Sequence, residues 1–261
     1  MMRHLFSPEG ELALAATMAL RPLVAFDFDG TLAPIVPRPS AAKLRARTRS
    51  LLVRLAEAYP VAVLSGRSRA DVSARTKDIP LAAVVGNHGL EPGGDLAECM
   101  NLVGQWMPWL GSHLLDVQGI EIENKTYSVA IHYRRSRSRR VALARIMDAA
   151  GSLGPKARVM GGKLVVNVLP TKAAHKGIAL MRLRKQLGTD TALYVGDDVT
   201  DEDVFAIDDP GRLLCVRVGP SKRSDAPYFV RSQAAVDELL LALIEIRRTI
   251  SRVRSRAQVH P

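Results

Sequence analysis

The chain has 261 residues, of which 47% are hydrophobic and 5% aromatic, so it can bury a substantial core as one large domain or two smaller ones. Its two cysteines, Cys99 and Cys215, lie far apart without a metal-ligand spacing, which argues against a disulfide framework and favours a reducing compartment. No segment reaches the roughly 18 apolar residues that a membrane-spanning helix needs. We therefore expect a cytoplasmic protein with no membrane partner.

The net charge of +11, from 37 Lys and Arg against 26 Asp and Glu, favours anionic partners such as nucleic acid, acidic membranes or phosphorylated metabolites. The basic residues are dispersed, however, and their runs at 45–49, 134–140 and 247–256 are not interleaved with aromatic residues. Binding of single-stranded nucleic acid by base stacking is therefore not expected. We interpret these runs as solvated helix faces and predict no nucleic-acid partner.

The N-terminal part of the chain alternates helices with apolar strands. An apolar helix is predicted over 12–20, and because Glu9 and Glu11 precede it we interpret it as a cover for the core rather than a signal peptide. The short apolar run Leu23–Phe26 after Pro22 predicts a buried strand.

Two more units of the same kind follow. A helix is predicted over 40–59 and ends at Pro60, and the run at 61–64 predicts a second buried strand. A short helix is expected near Ser68, and the run at 81–85 predicts a third strand.

The pattern changes after residue 91, where Pro92-Gly93-Gly94 is typical of a linker. Segments 120–123 and 127–133 alternate apolar with polar residues, as antiparallel strands with one open face do. The same part also predicts an amphipathic segment over 106–115, a basic helix over 139–150 and a strand over 163–169. We therefore predict an inserted α+β domain at 92–169.

From Pro170 onward the alternation of helices and apolar strands resumes. A helix is predicted over 172–186, strands over 191–195 and 213–218, and a last helix over 234–248. Such alternation argues for an α/β fold with a doubly wound parallel sheet, built here from 1–91 and 170–261.

Polar side chains follow several of these strands at the point where each strand ends. Asp27 and Asp29 follow the first buried strand, Ser65 follows the second, and Asp197 follows the strand at 191–195. Ligands of doubly wound sheets bind beyond the carboxyl ends of the strands, and Lys176 lies near a helix start that opens on the same side. We therefore expect these residues to converge on one site.

The acids of this site are the ligands that Mg²⁺ prefers. Asp27, Asp29 and Asp197, with Asp201 as a further candidate, would form an oxygen-rich pocket. Packed together without neutralisation they would repel each other, and a metal ion together with Lys176 would relieve that repulsion.

The same set also suits phosphoryl transfer. A carboxylate nucleophile that forms an aspartyl phosphate is an established catalytic strategy. The hydroxyls of Ser65 and Thr31 would be available to phosphoryl oxygens.

In their order along the chain, four motifs resemble those of the haloacid dehalogenase-like (HAD) superfamily of phosphohydrolases: Asp-Phe-Asp-Gly-Thr at 27–31, Ser65, Lys176 and Gly-Asp-Asp-Val-Thr-Asp at 196–201. The resemblance implies a HAD-like core, and it implies that the insertion at 92–169 is an α+β cap. It also implies that Asp27 is the nucleophile, that Asp29 is the general acid and then the base, and that Lys176 steadies the phosphoryl charge.

The resemblance implies a metal site as well. Mg²⁺ would be held by the carboxylates of Asp27 and Asp197 and by the main-chain oxygen of Asp29. Asp198 or Asp201 would support it.

A narrower set of motifs is similar to the trehalose-6-phosphate phosphatase family: Leu-Ser-Gly-Arg at 64–67, His-Gly-x-Glu at 88–91, Glu-x-Lys at 123–125, Ala-Ile-His-Tyr-Arg at 130–134, Gly-Lys-x-Val-Val at 162–166 and Gly-Asp-Asp-x-Thr-Asp-Glu at 196–202. The likeness implies a phosphorylated disaccharide as substrate, with Glu123, Lys125 and a glutamate after the Gly-Lys-x-Val-Val motif on its hydroxyls. This chain departs from the pattern there, because the position is Asn167. Other candidates for substrate binding are Thr31, Gly66, Arg67, His88, Glu91 and Arg134.

Several of these side chains have a second interpretation that the sequence leaves open. Arg67 pairs either with phosphate or with a neighbouring acid, and His88 contacts either substrate or a loop backbone. Glu123 and Lys125 share one strand face and would alternatively form a cross-strand ion pair. Arg134 would alternatively form a salt bridge within the cap.

The substrate stays open for the same reason. Sucrose phosphate, a glucosyl or mannosyl glycerate phosphate, or a phosphosugar mutase reaction would use the same machinery. A non-catalytic anion- or nucleic-acid-binding protein on this scaffold is supported by charge alone, since no motif acid is missing. The oligomeric state is also open.

Overall fold

The computed structural model describes residues 2–92, 95–162 and 164–257. Gly93 and Gly94 of the predicted linker, and Lys163 of the Gly-Lys-x-Val-Val motif, lie outside the described residues.

Within the described ranges the chain forms two sheets with helices around them. The strands are β1 (Arg3–His4), β2 (Leu23–Phe26), β3 (Val61–Leu64), β4 (Ala83–Val85), β5 (Glu121–Asn124), β6 (Val129–His132), β7 (Ala157–Gly162), β8 (Val165–Pro170), β9 (Ala192–Gly196), β10 (Leu213–Val218) and β11 (Tyr228–Val230). The α-helices are α1 (Pro8–Ala19), α2 (Ala46–Ala56), α3 (Arg69–Arg75), α4 (Leu96–His113), α5 (Arg139–Gly151), α6 (Lys176–Gln186), α7 (Glu202–Phe205) and α8 (Val236–Ala257). Short 3-10 helices lie at Pro39–Ala41, Asn87–Gly89, Val199–Asp201 and Gln233–Ala235.

The larger sheet is parallel and has the strand order β1-β11-β10-β9-β2-β3-β4. Strand β2 lies between β9 and β3, so the carboxyl ends of these three strands are neighbours at one edge. Helices cover both faces, and the predicted doubly wound α/β fold is confirmed. The order of the strands therefore places Asp27, Ser65 and Asp197 side by side.

Strand β2 is the centre of the sheet because all four of its side chains are apolar and fully buried. Val24 and Phe26 pack into the core cluster beneath α1, α2 and α8, while Leu23 and Ala25 pack into the cluster beneath α6 and α7. Full burial of a Val, Leu or Phe side chain stabilises the fold by roughly 1.5–3 kcal/mol relative to leaving it exposed. The position of Asp27, which comes directly after this strand, is thereby fixed.

The smaller sheet is antiparallel and has the order β5-β6-β8-β7. One face packs on α4 and α5 through Ile131, Val166 and Val168, and the opposite face carries Glu123 and Asn167. As the alternation of apolar and polar residues predicted, this sheet has one apolar face and one polar face.

The structure differs from the predicted elements in several places. The helix predicted over 40–59 begins only at Ala46, because Pro39–Ala41 forms a separate 3-10 helix and the backbone at Ala42 and Arg45 is extended. Strand β7 was not predicted, since its Met160-Gly-Gly162 end lacks the side chains that mark a strand. Strand β8 continues to Pro170, one residue past the predicted domain boundary, and the division at 92 and 169 stays a prediction.

The two sheets meet where β7 packs against the 3-10 helix Val199–Asp201. Arg158 of β7 forms an ion pair with Asp203 of α7 across this contact. None of the helices in the described ranges is long and apolar enough to cross a membrane.

Candidate active site

The side chains of Asp27 and Lys176 form the buried centre of the site. Lys176 opens α6, and its Nζ lies 2.6 Å from Asp27 Oδ1 and 2.7 Å from Asp201 Oδ1. Burial raises the pKa of Asp27 well above its usual range, the charges of Asp201 and Asp197 raise it further, and Lys176 lowers it. Burial alone would lower the pKa of Lys176, but the carboxylates of Asp201 and Asp27 raise it above its usual value. Lys176 is thus held as a cation between two carboxylates.

Asp201 is fully buried and organises the loop that follows β9. Its Oδ1 accepts hydrogen bonds from Lys176 and from the hydroxyl of Tyr194, the latter at 2.6 Å. Its Oδ2 accepts from the main-chain N–H groups of Asp197 and Asp198 at 2.8 and 2.9 Å. Both oxygens therefore accept two hydrogen bonds each, and a part for Asp201 in metal binding stays a prediction.

Carboxylate oxygens of Asp27, Asp197 and Asp201 lie within 4.8 Å of one another, close enough to hold a metal ion. Burial and the charges of Asp201 and Asp198 raise the pKa of Asp197 to about 7. Three acids against the single charge of Lys176 leave an excess of negative charge, which a divalent cation would neutralise. The donor set therefore fits a metal ion.

The turn after Asp29 is shaped around the same acids. Gly30 has a φ of +89°, and a Cβ at this position would lie 2.1 Å from Asp197 Oδ2. Only glycine fits here, so Gly30 allows the two acidic loops to approach. Thr31 donates its hydroxyl hydrogen to Asp197 Oδ1 at 3.2 Å, and its predicted contact with substrate stays a prediction.

Arg217 was not predicted from the sequence, and it binds the main chain of the acidic loop that follows β9. It comes from β10, and its Nη2 donates to the main-chain oxygen of Asp197 at 2.5 Å while Nη1 pairs with Glu202 at 2.9 Å. A charged residue within the apolar run Leu-Leu-Cys-Val-Arg-Val was the signal that would have indicated it. Asp198 accepts from its neighbour Val199 at 2.7 Å through Oδ1, and burial raises its pKa.

Asp29 is held by Arg67. Nε and Nη2 of Arg67 lie 2.5 and 2.7 Å from the two carboxylate oxygens of Asp29, and Nη1 lies 2.8 Å from Asp71. Of the two interpretations that the sequence left open for Arg67, the structure has the pairing with a neighbouring acid.

Ser65 and His88 follow the carboxyl ends of β3 and β4. Ser65 is buried, and its hydroxyl oxygen accepts from the main-chain N–H of Arg67 at 3.2 Å. His88 is 7% exposed, and neither ring nitrogen has a hydrogen-bond partner among the residues that the structure describes. Burial, together with the charges of Lys125, Lys176 and Arg158, lowers the pKa of His88 well below its usual value, so the ring is neutral.

The ring of His88 is aimed into the site by a left-handed backbone, with a φ of 59°. Gly66 makes room for it, because a Cβ there would lie 2.4 Å from His88 Cε1. A buried polar group without a partner is costly, and a substrate group would satisfy it. These observations favour substrate contact over a bond to the loop backbone.

Glu91 lies away from the other candidates. Its Oε2 accepts from the main-chain N–H of Arg69 at 2.6 Å, where α3 begins, and it is not part of the cavity wall in the described ranges. A carboxylate at a helix N-terminus stabilises the helix. A direct contact of Glu91 with substrate stays a prediction.

A cavity of about 900 Å³ separates the acidic centre from the open face of the smaller sheet. Its walls on the two sides include Asp27, Asp29, Gly66, Arg67, His88, Lys176, Asp197, Asp198 and Arg217 from the larger sheet, and Glu123, Lys125, His132, Arg134, Gly162 and Asn167 from the smaller one. A space of this size, with acids at one side and hydrogen-bonding groups at the other, suits a polar small molecule.

The polar face of the smaller sheet has one further member that the sequence did not indicate. Nε2 of His132 lies 2.9 Å from Glu123 Oε2, and this hydrogen bond lowers the pKa of Glu123. The register pairs Glu123 with Ala130 and Ala130 with Asn167, so Glu123 and Asn167 face the cavity from the same side. Lys125 also lines the cavity; burial lowers its pKa, and the charges of Glu123 and Asp29 oppose that effect.

A sequence model of the trehalose-phosphatase family matches residues 25–234, which include all the motifs above, the whole smaller sheet and the larger sheet except β1 and the first half of β2. The chain belongs to the trehalose-phosphatase family. Among curated relatives, the trehalose-phosphate phosphatase of Mycobacterium avium is 35% identical over 239 residues, which cover 86% of this chain and 58% of the relative. That of Mycobacterium ulcerans is 37% identical over 236 residues, with 84% and 60% covered. The chain therefore spans less than two thirds of the length of these relatives.

Solved structures of this family share the fold. The C-terminal domain of trehalose-6-phosphate phosphatase from Candida albicans superposes with a TM-score of 0.80 at 24% identity, over 94% of this chain and 99% of that domain. The trehalose-6-phosphate phosphatase of Aspergillus fumigatus has a TM-score of 0.63 at 27% identity, over 94% of this chain and 99% of that one. The HAD-like α/β architecture predicted from the motifs is thereby confirmed.

Proposed function

We propose that this member of the trehalose-phosphatase family is a Mg²⁺-dependent phosphatase that hydrolyses trehalose 6-phosphate to trehalose and phosphate. The observation that carries the proposal is the buried Asp27–Lys176 pair, with Asp29 beside it, at the wall of a cavity whose opposite wall is polar. Family relatives at 35% and 37% identity are named trehalose-phosphate phosphatases.

The first chemical step is attack by the Asp27 carboxylate on phosphorus. The new bond joins a carboxylate oxygen to phosphorus, and the bond between phosphorus and the sugar oxygen breaks. Asp29 gives its proton to the departing sugar oxygen, while Lys176 balances the charge of the phosphoryl oxygens. Free sugar and an aspartyl phosphate on Asp27 result.

The second step releases phosphate. Water attacks the phosphorus of the aspartyl phosphate and passes its proton to Asp29, which thereby recovers the proton that it gave away. The bond between phosphorus and the Asp27 oxygen breaks, and inorganic phosphate leaves. The enzyme returns to its starting state with no external acid or base consumed.

The donor set also supports the identity of the metal. The carboxylates of Asp27 and Asp197 and the main-chain oxygen of Asp29 would hold Mg²⁺, with Asp198 in support, because an all-oxygen set suits this ion. Bound there, the ion would stabilise negative charge on the phosphoryl oxygens.

We further propose that residues 92–169 form a cap on a core made of 1–91 and 170–261. Glu123, Lys125, Arg134 and Asn167 would bind sugar hydroxyls from the cap side of the cavity, as their common position in its wall supports. His88 would complete the contacts from the core side with its neutral ring.

Asn167 favours a second candidate substrate, because the family pattern has glutamate there. A different phosphosugar, such as sucrose phosphate or a glucosyl or mannosyl glycerate phosphate, would fit the same chemistry, as would a mutase reaction. A cytoplasmic location and the absence of a nucleic-acid partner stay predictions.

Phosphate release from a panel of sugar phosphates tests the proposal. We expect trehalose 6-phosphate to have the highest kcat/KM of the panel in the presence of Mg²⁺. If another sugar phosphate is preferred, that compound is the substrate in place of trehalose 6-phosphate. If the protein hydrolyses none of the phosphomonoesters, the phosphatase function is contradicted. A mutase would show itself by an isomeric sugar phosphate as product.

A further inference from the structure

Four of the five N–H groups of the Arg67 guanidinium donate to acceptors of the protein. Its Nε donates to one oxygen of Asp29 at 2.5 Å, and its Nη2 donates to the other oxygen at 2.7 Å and to the main-chain oxygen of Pro39 at 2.8 Å. Its Nη1 donates to Asp71 at 2.8 Å. The side chain is 12% exposed, whereas that of Asp29 is 40% exposed. The geometry is the bidentate fork that fixes a carboxylate in one plane.

Arg67 is itself held in place by a second layer of contacts. The single Nε–H of Arg75 is shared by the two oxygens of Asp71, each at 3.0 Å from Nε, and Arg75 donates to the main-chain oxygen of Ala42. The ring of Phe28 lies below the guanidinium, 5.7 Å from its central carbon. Burial would raise the pKa of Asp71, yet its bonds to Arg75 and Arg67 lower it, so the acid stays charged. The orientation of the fork is therefore set before any substrate arrives.

We infer that Arg67 is a positioning residue for Asp29, which fixes the carboxylate that serves the leaving sugar oxygen, and that it does not bind the substrate phosphate. The inference rests on the role proposed above for Asp29. Catalytic groups act only when held close to their productive geometry, and this pair supplies that constraint.

A lysine would not replace Arg67, because an ammonium is a point charge and cannot bind both oxygens of Asp29 in one plane. Arg67→Lys therefore keeps the charge of the site and removes the orientation. This makes it the variant that separates positioning from plain charge neutralisation.

Two substrates distinguish positioning of Asp29 from binding of phosphate. A sugar oxygen is a poor leaving group and needs the proton from Asp29, whereas 4-nitrophenolate leaves readily without one. Both substrates carry the same phosphate, so loss of a phosphate contact would reduce kcat/KM for both equally. Loss of the positioned acid would reduce it mainly for the sugar phosphate.

The experiment measures kcat/KM of Arg67→Lys for trehalose 6-phosphate and for 4-nitrophenyl phosphate with saturating Mg²⁺. We expect the ratio of the two values to fall by about tenfold or more, a fraction of the 10²–10⁴ that general acid catalysis contributes. Equal losses on the two substrates would overturn the inference.

Asp29→Asn separates this inference from the proposed function. If Asp29→Asn lowers the ratio and Arg67→Lys leaves it unchanged, the inference about Arg67 is wrong while the role of Asp29 stands. If Asp29→Asn leaves the ratio unchanged, the role of Asp29 is wrong and the inference is overturned with it.

A second variant covers the case in which Arg67→Lys does not fold. Asp71→Asn weakens the support of Arg67 without touching Asp29, and circular dichroism establishes whether each variant is folded. A fall of the same ratio in folded Asp71→Asn supports positioning through Arg67, and an unchanged ratio contradicts it.

Discussion

The hydroxyl of Tyr194 donates to Asp201 Oδ1 at 2.6 Å, and both side chains are fully buried. The same oxygen accepts from Lys176, so the phenol on β9 helps to set the position of the lysine that faces Asp27. Burial and the charge of Asp201 raise the pKa of Tyr194, which keeps its proton on the donor side of this bond.

Tyr194→Phe removes one of the bonds to the buried Asp201 carboxylate. We expect the free energy of unfolding to fall by about 1–3 kcal/mol, because an acceptor is left partly unsatisfied. We also expect kcat to fall with little change in KM, since Lys176 loses part of its restraint and the sugar contacts are untouched. Urea unfolding and steady-state kinetics measure the two effects.

Tyr59→Phe is the matched control for that variant. Tyr59 is also buried, but its hydroxyl has no hydrogen-bond partner in the part of the chain that the structure describes. Its removal should change neither kcat nor, beyond a few tenths of a kcal/mol, the stability. Equal effects of the two substitutions on kcat and stability would mean that the hydrogen bond from Tyr194 to Asp201 does not cause the change.

Metal binding should relieve the repulsion within the acidic cluster. The pKa of Asp197 is raised in the folded protein to about 7, so this group favours the folded state at low pH, and that contribution is lost as the pH rises through 7. The metal-free protein should therefore lose thermal stability as the pH rises from about 4 towards 7, and saturating Mg²⁺ should restore it.

Excess chelator should abolish activity at neutral pH.

Asp197→Asn tests the assignment of that effect. The variant should show a smaller loss of thermal stability over the same pH range and a weaker stabilisation by Mg²⁺. If the melting temperature of the wild-type protein responds to Mg²⁺ no more than that of Asp197→Asn, the cluster does not bind the ion.

The contact between the two sheets should contribute to substrate affinity. Arg158→Ala removes the ion pair with Asp203 that joins β7 to α7, and we expect KM for the sugar phosphate to rise by about two- to fivefold, the range of a partly exposed pair. Arg145→Ala is the control, because Arg145 of α5, a helix that packs on the smaller sheet, pairs with Asp116 at 2.9 Å. The same rise in both variants would argue against a role for the Arg158–Asp203 pair.

Asn167 is the residue whose substitution reports on the sugar. It is 6% exposed and lies on the cavity face of β8, the same face of the sheet that carries Glu123. A glutamate there would accept hydrogen bonds with charge, and we expect Asn167→Glu to raise kcat/KM for trehalose 6-phosphate by up to about tenfold. A small aryl phosphate, which has no sugar hydroxyls for this residue to bind, is the control substrate. Lower turnover of trehalose 6-phosphate with unchanged aryl phosphate activity would favour a different sugar.

Much of the fold was predictable because β2, β3 and β9 are short apolar runs that are buried on both faces. Such runs have few alternatives, and their carboxyl ends share one edge, so Asp27 and Lys176 were expected to meet. Strands of only two or three residues, such as β1 and β11, are too short for their side chains to show a pattern that the sequence reveals.

The rest of the site depends on contacts that spacing does not encode. His132 and Glu123 lie diagonally across two strands, and Arg217 reaches the acidic loop from a neighbouring strand. The choice of Arg67 between phosphate and Asp29 was undecidable from sequence, because it depends on a distance of a few ångströms between two loops.

The central claim is that this chain hydrolyses trehalose 6-phosphate through Asp27. The most direct measurement compares phosphate release from trehalose 6-phosphate by the wild-type protein and by Asp27→Asn, with Mg²⁺ present and both proteins shown to be folded. We expect rapid release by the wild type and a loss of several orders of magnitude in the variant, because no other group would replace the Asp27 carboxylate as nucleophile. Near-wild-type turnover by folded Asp27→Asn, or no release by the wild-type protein, would contradict it.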